Sequence, residues 1–262
     1  MFPEVRFLQL DLYTWLSVAG IIAALVIFRV YSDKKQVPAK LQNVCLVLIL
    51  ASIAIGYGFA ILFQAVYDFT KSGKFVIDTQ TGMTFYGGLI GGSAVFLILY
   101  FTVAKKVCGG EIFRHLNSVS GVAACAISLG HSLGRIGCLM AGCCYGRETD
   151  SWIGIYLPAV GAKVIPTQLI ESIFLLLLFF ALTALLFRTR INGFSVYLIA
   201  YGIFRFVIEF FRADDRGGSV IPWLSPSQVW SVILFAVGTA VLVTLLVRDA
   251  RRKDGAPTDA RQ

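Results

Sequence analysis

Charged residues are scarce in this sequence. Asp, Glu, Lys and Arg together make up 15% of the 262 residues, whereas hydrophobic residues make up 57%, and the mean hydropathy is +0.78. A soluble protein of this length needs much less apolar sequence to fill its core. The composition therefore excludes a soluble globular protein and indicates a membrane protein with several spans.

Other features are missing, and each absence excludes a class of protein. No small-x-small cleavage pattern follows the first apolar run, residues 12–30, so we expect a transmembrane helix there rather than a cleaved signal peptide. No pair of interrupted helices recurs in two halves of the chain, which makes a transporter less favoured. The net charge of +8 comes with basic residues beside apolar spans, which typically set topology and contact anionic lipid. We expect no nucleic-acid partner.

Seven apolar segments are long enough to cross a hydrocarbon core of about 30 Å. They predict an all-α membrane protein with about seven transmembrane helices and a small extracytoplasmic head. The expected spans are residues 12–30, a helix within 43–69, then 82–105, 119–142, 167–187, 194–211 and 226–247. We expect residues 1–247 to form a single polytopic domain and residues 248–262 to be a basic, disordered cytoplasmic tail.

Basic residues are distributed unevenly between the two sets of connecting segments. If the N-terminus is outside, the inner segments hold twice as many lysines and arginines as the outer ones, which predicts an N-out, C-in orientation. Polar residues from four different spans then lie toward the outer face, a convergence that packing alone does not explain.

The fourth span carries an arginine within apolar sequence, HSLGRIGCLMAGCCYGRET. A guanidinium in the membrane costs about 2.5–3.5 kcal/mol on insertion scales, so Arg135 is expected to face a polar cavity at a functional site. Gly134, Gly137, Gly142 and Gly146 suit close helix packing or a turn that lines a cavity. An anionic headgroup could bind there.

Two later spans also carry polar residues. The fifth has Gln168 and Glu171 near its start, and the sixth has Arg205, Glu209 and Arg212. Arg205 and Glu209 are four residues apart, so a helix places them on one face as an ion pair. We expect Arg212 to extend that face. The alternative is an internal ion pair that serves only to make two charges tolerable.

Four segments, in this order and spacing, resemble the prolipoprotein diacylglyceryl transferases of the bacterial cytoplasmic membrane. They are GMTFYGGLIGG, GRIGCLMAGCCYGRET, IPTQLIES and YGIFRFVIEFFRADD, and the likeness covers about residues 82–228. The resemblance implies seven transmembrane helices in the inner membrane, with the N-terminus outside. It also implies transfer of a diacylglyceryl group from phosphatidylglycerol to the lipobox cysteine of a preprolipoprotein, with release of glycerol phosphate. The expected partners are those two substrates and membrane lipids, with no cofactor.

Arg135 and Arg205 match positions that the family treats as essential, and a pair of guanidiniums would stabilise a departing phosphate ester. Tyr86 stands where the family usually has histidine, and Cys138 and Cys143 stand where it has asparagine and glutamate. The expected substrate-binding residues are Gly87, Gly88, Gly137, Cys138, Gly142, Cys143, Gln168, Glu209 and Arg212. The alternative is a lipid-binding protein that kept the pocket and lost the base, and the missing histidine favours it.

The acceptor thiol, whose free pKa is about 8.5, must lose its proton before it attacks, either to a base or under the positive field of the two arginines. Tyr86, at the family's histidine position, is a candidate catalytic residue, but it is a poor base at a reference pKa of about 10 unless the arginines lower that pKa. His131 lies four residues before Arg135 and seven before Cys138, so a regular helix places all three on one face and makes His131 a candidate catalytic base. The alternative is a histidine that only packs and forms a hydrogen bond.

Cys138, Cys143 and Cys144 are the cysteines that cluster in the sequence. Their spacing, with or without His131, does not match common structural zinc patterns, so we expect no metal site. A disulfide of Cys138 with Cys143 or Cys144 is an open alternative on an oxidising outer face. We favour small buried thiols that fill the family's polar positions.

The orientation can be tested with reporter fusions. We expect a reporter after Lys106 or at the C-terminus to be cytoplasmic and one near Asp150 to be extracytoplasmic, because the basic residues favour those sides. Alkaline phosphatase fusions report an extracytoplasmic position, and fluorescent-protein fusions report a cytoplasmic one. Opposite results at all three sites would overturn the predicted orientation.

Overall fold

The structure is a computed structural model that describes residues 6–7, 10–73, 75–78, 81–158, 160–213 and 223–254. Its helices are α1 (Leu12–Lys34), α2 (Ala39–Ser72), α3 (Phe85–Leu99), α4 (Lys105–Cys108), α5 (Glu111–Arg114), α6 (Leu116–Ala141), α7 (Thr167–Arg188), α8 (Gly193–Ile208) and α9 (Pro226–Asp254). A π-helical turn, Tyr100–Ala104, joins α3 to α4. The strands β1 (Arg6–Phe7) and β2 (Leu10–Asp11) form one antiparallel hairpin, and β3 (Ile155–Leu157) and β4 (Ala162–Val164) form another.

Seven helical segments among the described residues are long and apolar enough to cross a membrane. This confirms the predicted all-α class and the number of spans, and the chain is a multi-pass membrane protein. Large apolar side chains such as Ile22, Leu177 and Phe180 are exposed on these helices, as expected where a helix faces lipid. The N-out, C-in orientation stays a prediction.

Two predicted boundaries differ from the structure. The third span was expected to begin at Gly82, but α3 begins at Phe85 because Thr84 has an extended backbone. The last helix continues past Val247 to Asp254, so the first seven residues of the predicted tail are helical. Residues 255–262 of that tail lie outside the described residues.

The chain divides into two compact units, one made of Ser32–Leu116 and the other of Met1–Tyr31 with Asn117–Gln262. In the first unit, α2 and α3 cross at glycines: a Cβ on Gly56 would lie 3.0 Å from the carbonyl oxygen of Gly88 and 3.1 Å from the Cα of Gly92. Such close approach of two backbones is typical of small-residue packing between transmembrane helices.

In the second unit, α6 packs against α7 through hydroxyl groups. The Ser128 hydroxyl donates to the Leu175 carbonyl oxygen at 2.8 Å, and the Ser132 and Ser172 hydroxyls each donate to the other residue's carbonyl oxygen at 2.9 Å. Short polar side chains that bond across helices stabilise membrane bundles, since lipid offers no alternative partner. These contacts fix the register between the two helices that carry Arg135 and Glu171.

Asn192 begins α8 and also ties it to α6. Its side-chain oxygen accepts from the Ser195 N–H at 2.8 Å, and its side-chain nitrogen donates to Asn117 Oδ1 at 2.6 Å and to Ser120 Oγ at 3.0 Å. Asn192 therefore caps one helix and links it to another.

We expect Asn192→Ala to destabilise the protein by about 1–3 kcal/mol, because it removes a helix cap and leaves part-buried polar groups without partners. Thermal unfolding of the purified protein in detergent measures the change. Thr244→Ala is the matched control, since the exposed Thr244 hydroxyl donates to the Ala240 carbonyl oxygen of its own helix and does not link two helices through that bond. Equal unfolding temperatures for the two variants would contradict this role of Asn192.

Candidate active site

The end of α6 brings two cysteines together. Gly142 has φ +73°, its N–H donates to the Leu139 carbonyl at 3.1 Å, and the Cys143 N–H donates to the Cys138 carbonyl at 3.1 Å. This pair of bonds is the Schellman motif, in which a left-handed glycine stops the helix and the side chain after it meets the one five residues earlier. Gly142 therefore terminates the helix, and the turn carries Cys143 back to Cys138.

Cys144 completes the group. It has φ +64°, which is unusual for a residue with a side chain, and its Sγ and those of Cys138 and Cys143 all lie within 4.8 Å of one another. The three are free cysteines in this structure. We call Cys138, Cys143 and Cys144 the thiol cluster.

The start of α7 holds the backbone of the thiol cluster. The Thr167 hydroxyl donates to the Cys144 carbonyl at 2.8 Å, and the Gln168 side-chain nitrogen donates to the Cys143 carbonyl at 3.1 Å. Thr167 and Gln168 are fully buried, and Gln168 Oε1 has no hydrogen-bond partner among the described residues. Gln168, predicted to bind substrate, thus positions the cysteine loop.

The prediction of small buried thiols is wrong, because Cys143 is exposed after the turn that ends α6 and Cys138 and Cys144 are only half-buried. Hydrogen bonds with Cys138 and Cys144, together with partial burial, raise the pKa of the Cys143 thiol. Hydrogen bonds from Cys138 and Cys143, and then the Arg212 guanidinium, lower the pKa of Cys144. The Arg212 guanidinium therefore favours the thiolate form of Cys144.

Glu171 is the centre of a buried network that joins three helices. Its Oε1 lies 3.0 Å from Arg135 Nη2 and accepts from the Tyr201 hydroxyl at 2.8 Å. The Glu171 side chain has no exposed surface, and that of Arg135 is 11% exposed. Arg135 Nε is buried and has no hydrogen-bond partner among the described residues. One donor of the guanidinium is thus free to bind an anion.

His131 belongs to the same network. Its Nε2 lies 3.8 Å from Glu171 Oε1, and its ring meets the Tyr201 ring edge-on with centroids 5.2 Å apart. Tyr201 in turn stacks on Tyr197 at 5.8 Å. His131 and Arg135 do share a face of α6, and that face is directed at Glu171.

Arg205 forms the predicted ion pair. Its Nη2 lies 2.7 Å from Glu209 Oε2 and donates to Ser227 Oγ at 3.0 Å, while the Ser225 hydroxyl donates to Glu209 Oε1 at 2.9 Å. The side chain is 6% exposed, and Nη1 is buried without a hydrogen-bond partner among the described residues. Arg205 also interacts electrostatically with Glu171. The structure thus confirms the ion pair predicted from the sequence, and Ser225, directly before α9, and Ser227, in its first turn, anchor it.

The prediction that Arg212 extends the helical face of Arg205 and Glu209 is wrong. The α-helix ends at Ile208, a 3-10 turn follows over Glu209–Phe211, and Arg212 is extended. Arg212 instead forms an isolated antiparallel bridge with Gly146, where a Cβ would lie 2.6 Å from the Phe211 carbonyl oxygen. This pairing brings the buried Arg212 side chain to the Cys144 thiol.

Three other glycines predicted to bind substrate lie in helix contacts. A Cβ on Gly87 would lie 2.6 Å from the Phe63 Cβ, one on Gly88 would lie 3.3 Å from the Ala60 Cβ, and one on Gly137 would lie 3.2 Å from Tyr13 Cδ2. Packing accounts for these glycines without a ligand, and their substrate contact stays a prediction. Tyr86 is in α3, and its side chain lies outside the described residues.

Sequence reasoning left Glu171 and Tyr201 out of the candidate site. Glu171 is detectable as a carboxylate within a span, but its partner Arg135 is on another helix. Tyr201 lies one helical turn before Arg205, a spacing that places both on one face of α8. Ser225 and Ser227 carry no signal, because serine is common at the start of a helix.

The family model described as prolipoprotein diacylglyceryl transferase matches residues 2–244. The Clostridium perfringens protein named phosphatidylglycerol–prolipoprotein diacylglyceryl transferase 2 is 29% identical over 96% of this chain and 97% of its own length. Proteins named phosphatidylglycerol–prolipoprotein diacylglyceryl transferase from Geobacter sulfurreducens and Clostridium tetani are each 30% identical, over 97% and 87% of this chain and 96% and 90% of their own lengths.

The family match extends over nearly all of the seven spans, including the helices that carry Arg135, Glu171 and Arg205. It bears out the resemblance drawn from four short segments of sequence. This chain belongs to the prolipoprotein diacylglyceryl transferase family.

Proposed function

We propose that this chain transfers a diacylglyceryl group from phosphatidylglycerol to the cysteine thiol of a prolipoprotein. The observation that carries the proposal is the pair of buried arginines, Arg135 and Arg205, each held by a carboxylate and each with a buried N–H donor that has no partner among the described residues. Membership of the family indicates the reaction, and these two guanidiniums provide positive charge that can stabilise the departing phosphate ester.

The reaction exchanges one bond at carbon for another. The acceptor thiolate attacks C3 of the diacylglyceryl unit, a C–S bond forms, and the C–O bond to phosphate breaks with its electron pair on the departing oxygen. Negative charge therefore accumulates on the phosphate ester. Donors already fixed in a site from which water is excluded stabilise such charge strongly, because they need no reorganisation during the reaction. Arg135 and Arg205 are the groups we assign to this role.

The carboxylates have a positioning role. Glu171 holds one edge of Arg135, and Glu209 holds one edge of Arg205, so each guanidinium presents its remaining donors in a fixed direction. Arginine offers five donors in a planar fork, which allows it to bind a carboxylate and a phosphate at once. The two carboxylates also reduce the cost of burying two positive charges when no substrate is bound.

The lipobox cysteine of the prolipoprotein is the proposed acceptor, and the cytoplasmic membrane of a bacterium is the proposed location. Phosphatidylglycerol in that membrane has access to a multi-pass protein from the bilayer. The predicted orientation places the thiol cluster and both arginines toward the outer leaflet, where a prolipoprotein emerges.

A second candidate function is a phospholipid-binding membrane protein without transferase activity. Tyr86 at the family's usual histidine position favours it. Purified protein incubated with phosphatidylglycerol and a lipobox peptide distinguishes the two. We expect a diacylglyceryl thioether on the peptide by mass spectrometry, with none on a cysteine-to-serine peptide. Phosphatidylglycerol binding without any thioether at any pH would replace the transferase with the lipid-binding function.

Lysine substitutions test the guanidinium pair. We expect Arg135→Lys and Arg205→Lys each to lower the transfer rate at least about 100-fold, because lysine keeps the charge and loses the planar fork that binds carboxylate and phosphate together. The rate of thioether formation is the measurement. Arg190→Lys is the control, since Arg190 is exposed and outside the site. Near-normal rates in both site variants would remove the guanidinium pair from the mechanism.

His131→Ala separates a positioning role from a catalytic one. We expect a reduced rate of transfer by a factor that does not change with pH, because His131 packs against Tyr201 and faces the carboxylate that holds Arg135. The pH profile of transfer in wild type and variant is the measurement. A loss that shrinks as pH approaches the free thiol's pKa of about 8.5 would instead identify His131 as the base that removes the acceptor proton.

A further inference from the structure

We propose that the thiol cluster binds a zinc ion through Cys138, Cys143 and Cys144, and that the ion's fourth position takes the thiol of the acceptor peptide. The inference rests on the proposed function, since it assigns a chemical task to these cysteines within that reaction. The spacing of the cysteines in the sequence predicts no metal site, but their positions in the folded chain indicate one.

The distances fit a small ion. Zinc binds thiolate sulfur at about 2.3 Å, so three sulfurs around one ion lie about 3.8 Å apart. The three Sγ atoms are already within 4.8 Å of one another, and small side-chain rotations close the difference. Among the described residues, this group of His, Cys, Asp or Glu side chains is the one with such geometry.

Specific backbone conformations and hydrogen bonds hold the three sulfurs in position. The Schellman turn at Gly142 brings Cys143 back to Cys138, and the left-handed conformation of Cys144 brings the third sulfur to the same place. Thr167 and Gln168 fix the carbonyls of Cys144 and Cys143 with hydrogen bonds. Such supporting contacts to a ligand loop are typical of metal sites, where they hold the ligands in position.

The surrounding charge suits a zinc ion with three thiolates, which carries a net charge of −1. Arg212 interacts with the sulfur of Cys144, and Arg135, one helical turn before Cys138, interacts electrostatically with that cysteine. Arginine has no lone pair to offer the metal, so these residues balance the thiolates without competing for the ion. Zinc also prefers sulfur and nitrogen ligands, whereas magnesium and calcium require oxygen.

Three protein ligands leave the fourth position of a tetrahedral ion open. Structural zinc sites are closed by four protein ligands, whereas catalytic sites keep such a position for water or substrate. Cys143 is exposed, so the cluster is accessible from outside the protein. A second thiol approaching from that side can complete the coordination.

Zinc coordination solves the problem of the acceptor proton. A thiol that binds zinc loses its proton to solvent water and becomes a thiolate at neutral pH. The bound thiolate attacks C3 of the diacylglyceryl unit, the C–O bond breaks, and glycerol phosphate leaves with the electron pair. The product sulfur is a thioether, a weaker zinc ligand than a thiolate, so the product can leave. No redox step is required, since zinc keeps its charge throughout.

The first test measures metal in the full-length protein purified in detergent. We expect about one zinc ion per chain by elemental mass spectrometry, and less than about a tenth of that in Cys138→Ser, Cys143→Ser and Cys144→Ser. Cys108→Ser is the control, because Cys108 lies outside the cluster. Zinc-free protein that does not take up Zn²⁺ on titration, or a disulfide between two cluster cysteines that persists in the active protein, would overturn the proposal.

The second test uses Co²⁺ in place of zinc. We expect the protein to show sulfur-to-cobalt charge-transfer absorption that increases when a lipobox peptide is added, and no increase with the cysteine-to-serine peptide. A spectrum that does not respond to the thiol would overturn the open fourth position. Zinc binding without thioether formation would contradict the proposed transferase function but support the metal site. Full transfer by chelator-treated protein or by the Cys143→Ser variant would contradict the metal site but support the transferase function.

Discussion

The buried ion pair between Arg135 and Glu171 is the interaction on which the rest of the candidate site depends. Glu171 has no exposed surface and binds both Arg135 and the Tyr201 hydroxyl, so one carboxylate joins α6, α7 and α8. Removing one partner of such a pair typically costs about 3–5 kcal/mol, because the other charge remains buried and uncompensated. Replacing both with apolar residues is often harmless to stability, so the pair is better explained by function than by folding. It holds a guanidinium on a membrane-spanning helix, with a buried donor that has no hydrogen-bond partner among the described residues.

The second constraint is local and comes from one turn. Gly142 ends α6, and the chain that leaves this turn carries Cys143, Cys144 and Gly146 in a few residues. Gly146 allows Arg212 to approach closely, and Arg212 reaches Cys144. The segment that follows α6 is thereby joined to the segment that ends the sixth span. Arg135 and the thiol cluster both depend on helix α6: Arg135 lies on its buried face, Cys138 lies in its last turn, and Cys143 and Cys144 follow the turn that ends it.

The fold class of this protein can be predicted from its sequence better than the contacts between its helices can. Seven spans follow from runs of apolar residues, because hydrophobic length is a direct requirement of the bilayer. Arg205 and Glu209 are predictable as a pair, since they are four residues apart and the helix continues to Ile208, directly before Glu209, so periodicity is sufficient. The bond between Arg135 and Glu171 is not, because it joins different helices whose register is set by Ser128, Ser132 and Ser172. Arg212 leaves the predicted face because the helix ends at Ile208, and no residue before it signals that end.

We propose that Arg135 and Arg205 together bind the phosphate of the lipid donor. A cryo-electron-microscopy structure of the protein with phosphatidylglycerol tests it most directly. We predict phosphate oxygens within hydrogen-bond distance, about 3 Å, of Arg135 Nε and Arg205 Nη1, both of them buried donors with no hydrogen-bond partner among the described residues. The Glu171 and Glu209 ion pairs should persist beside it. A bound phosphate that contacts neither guanidinium would contradict the account.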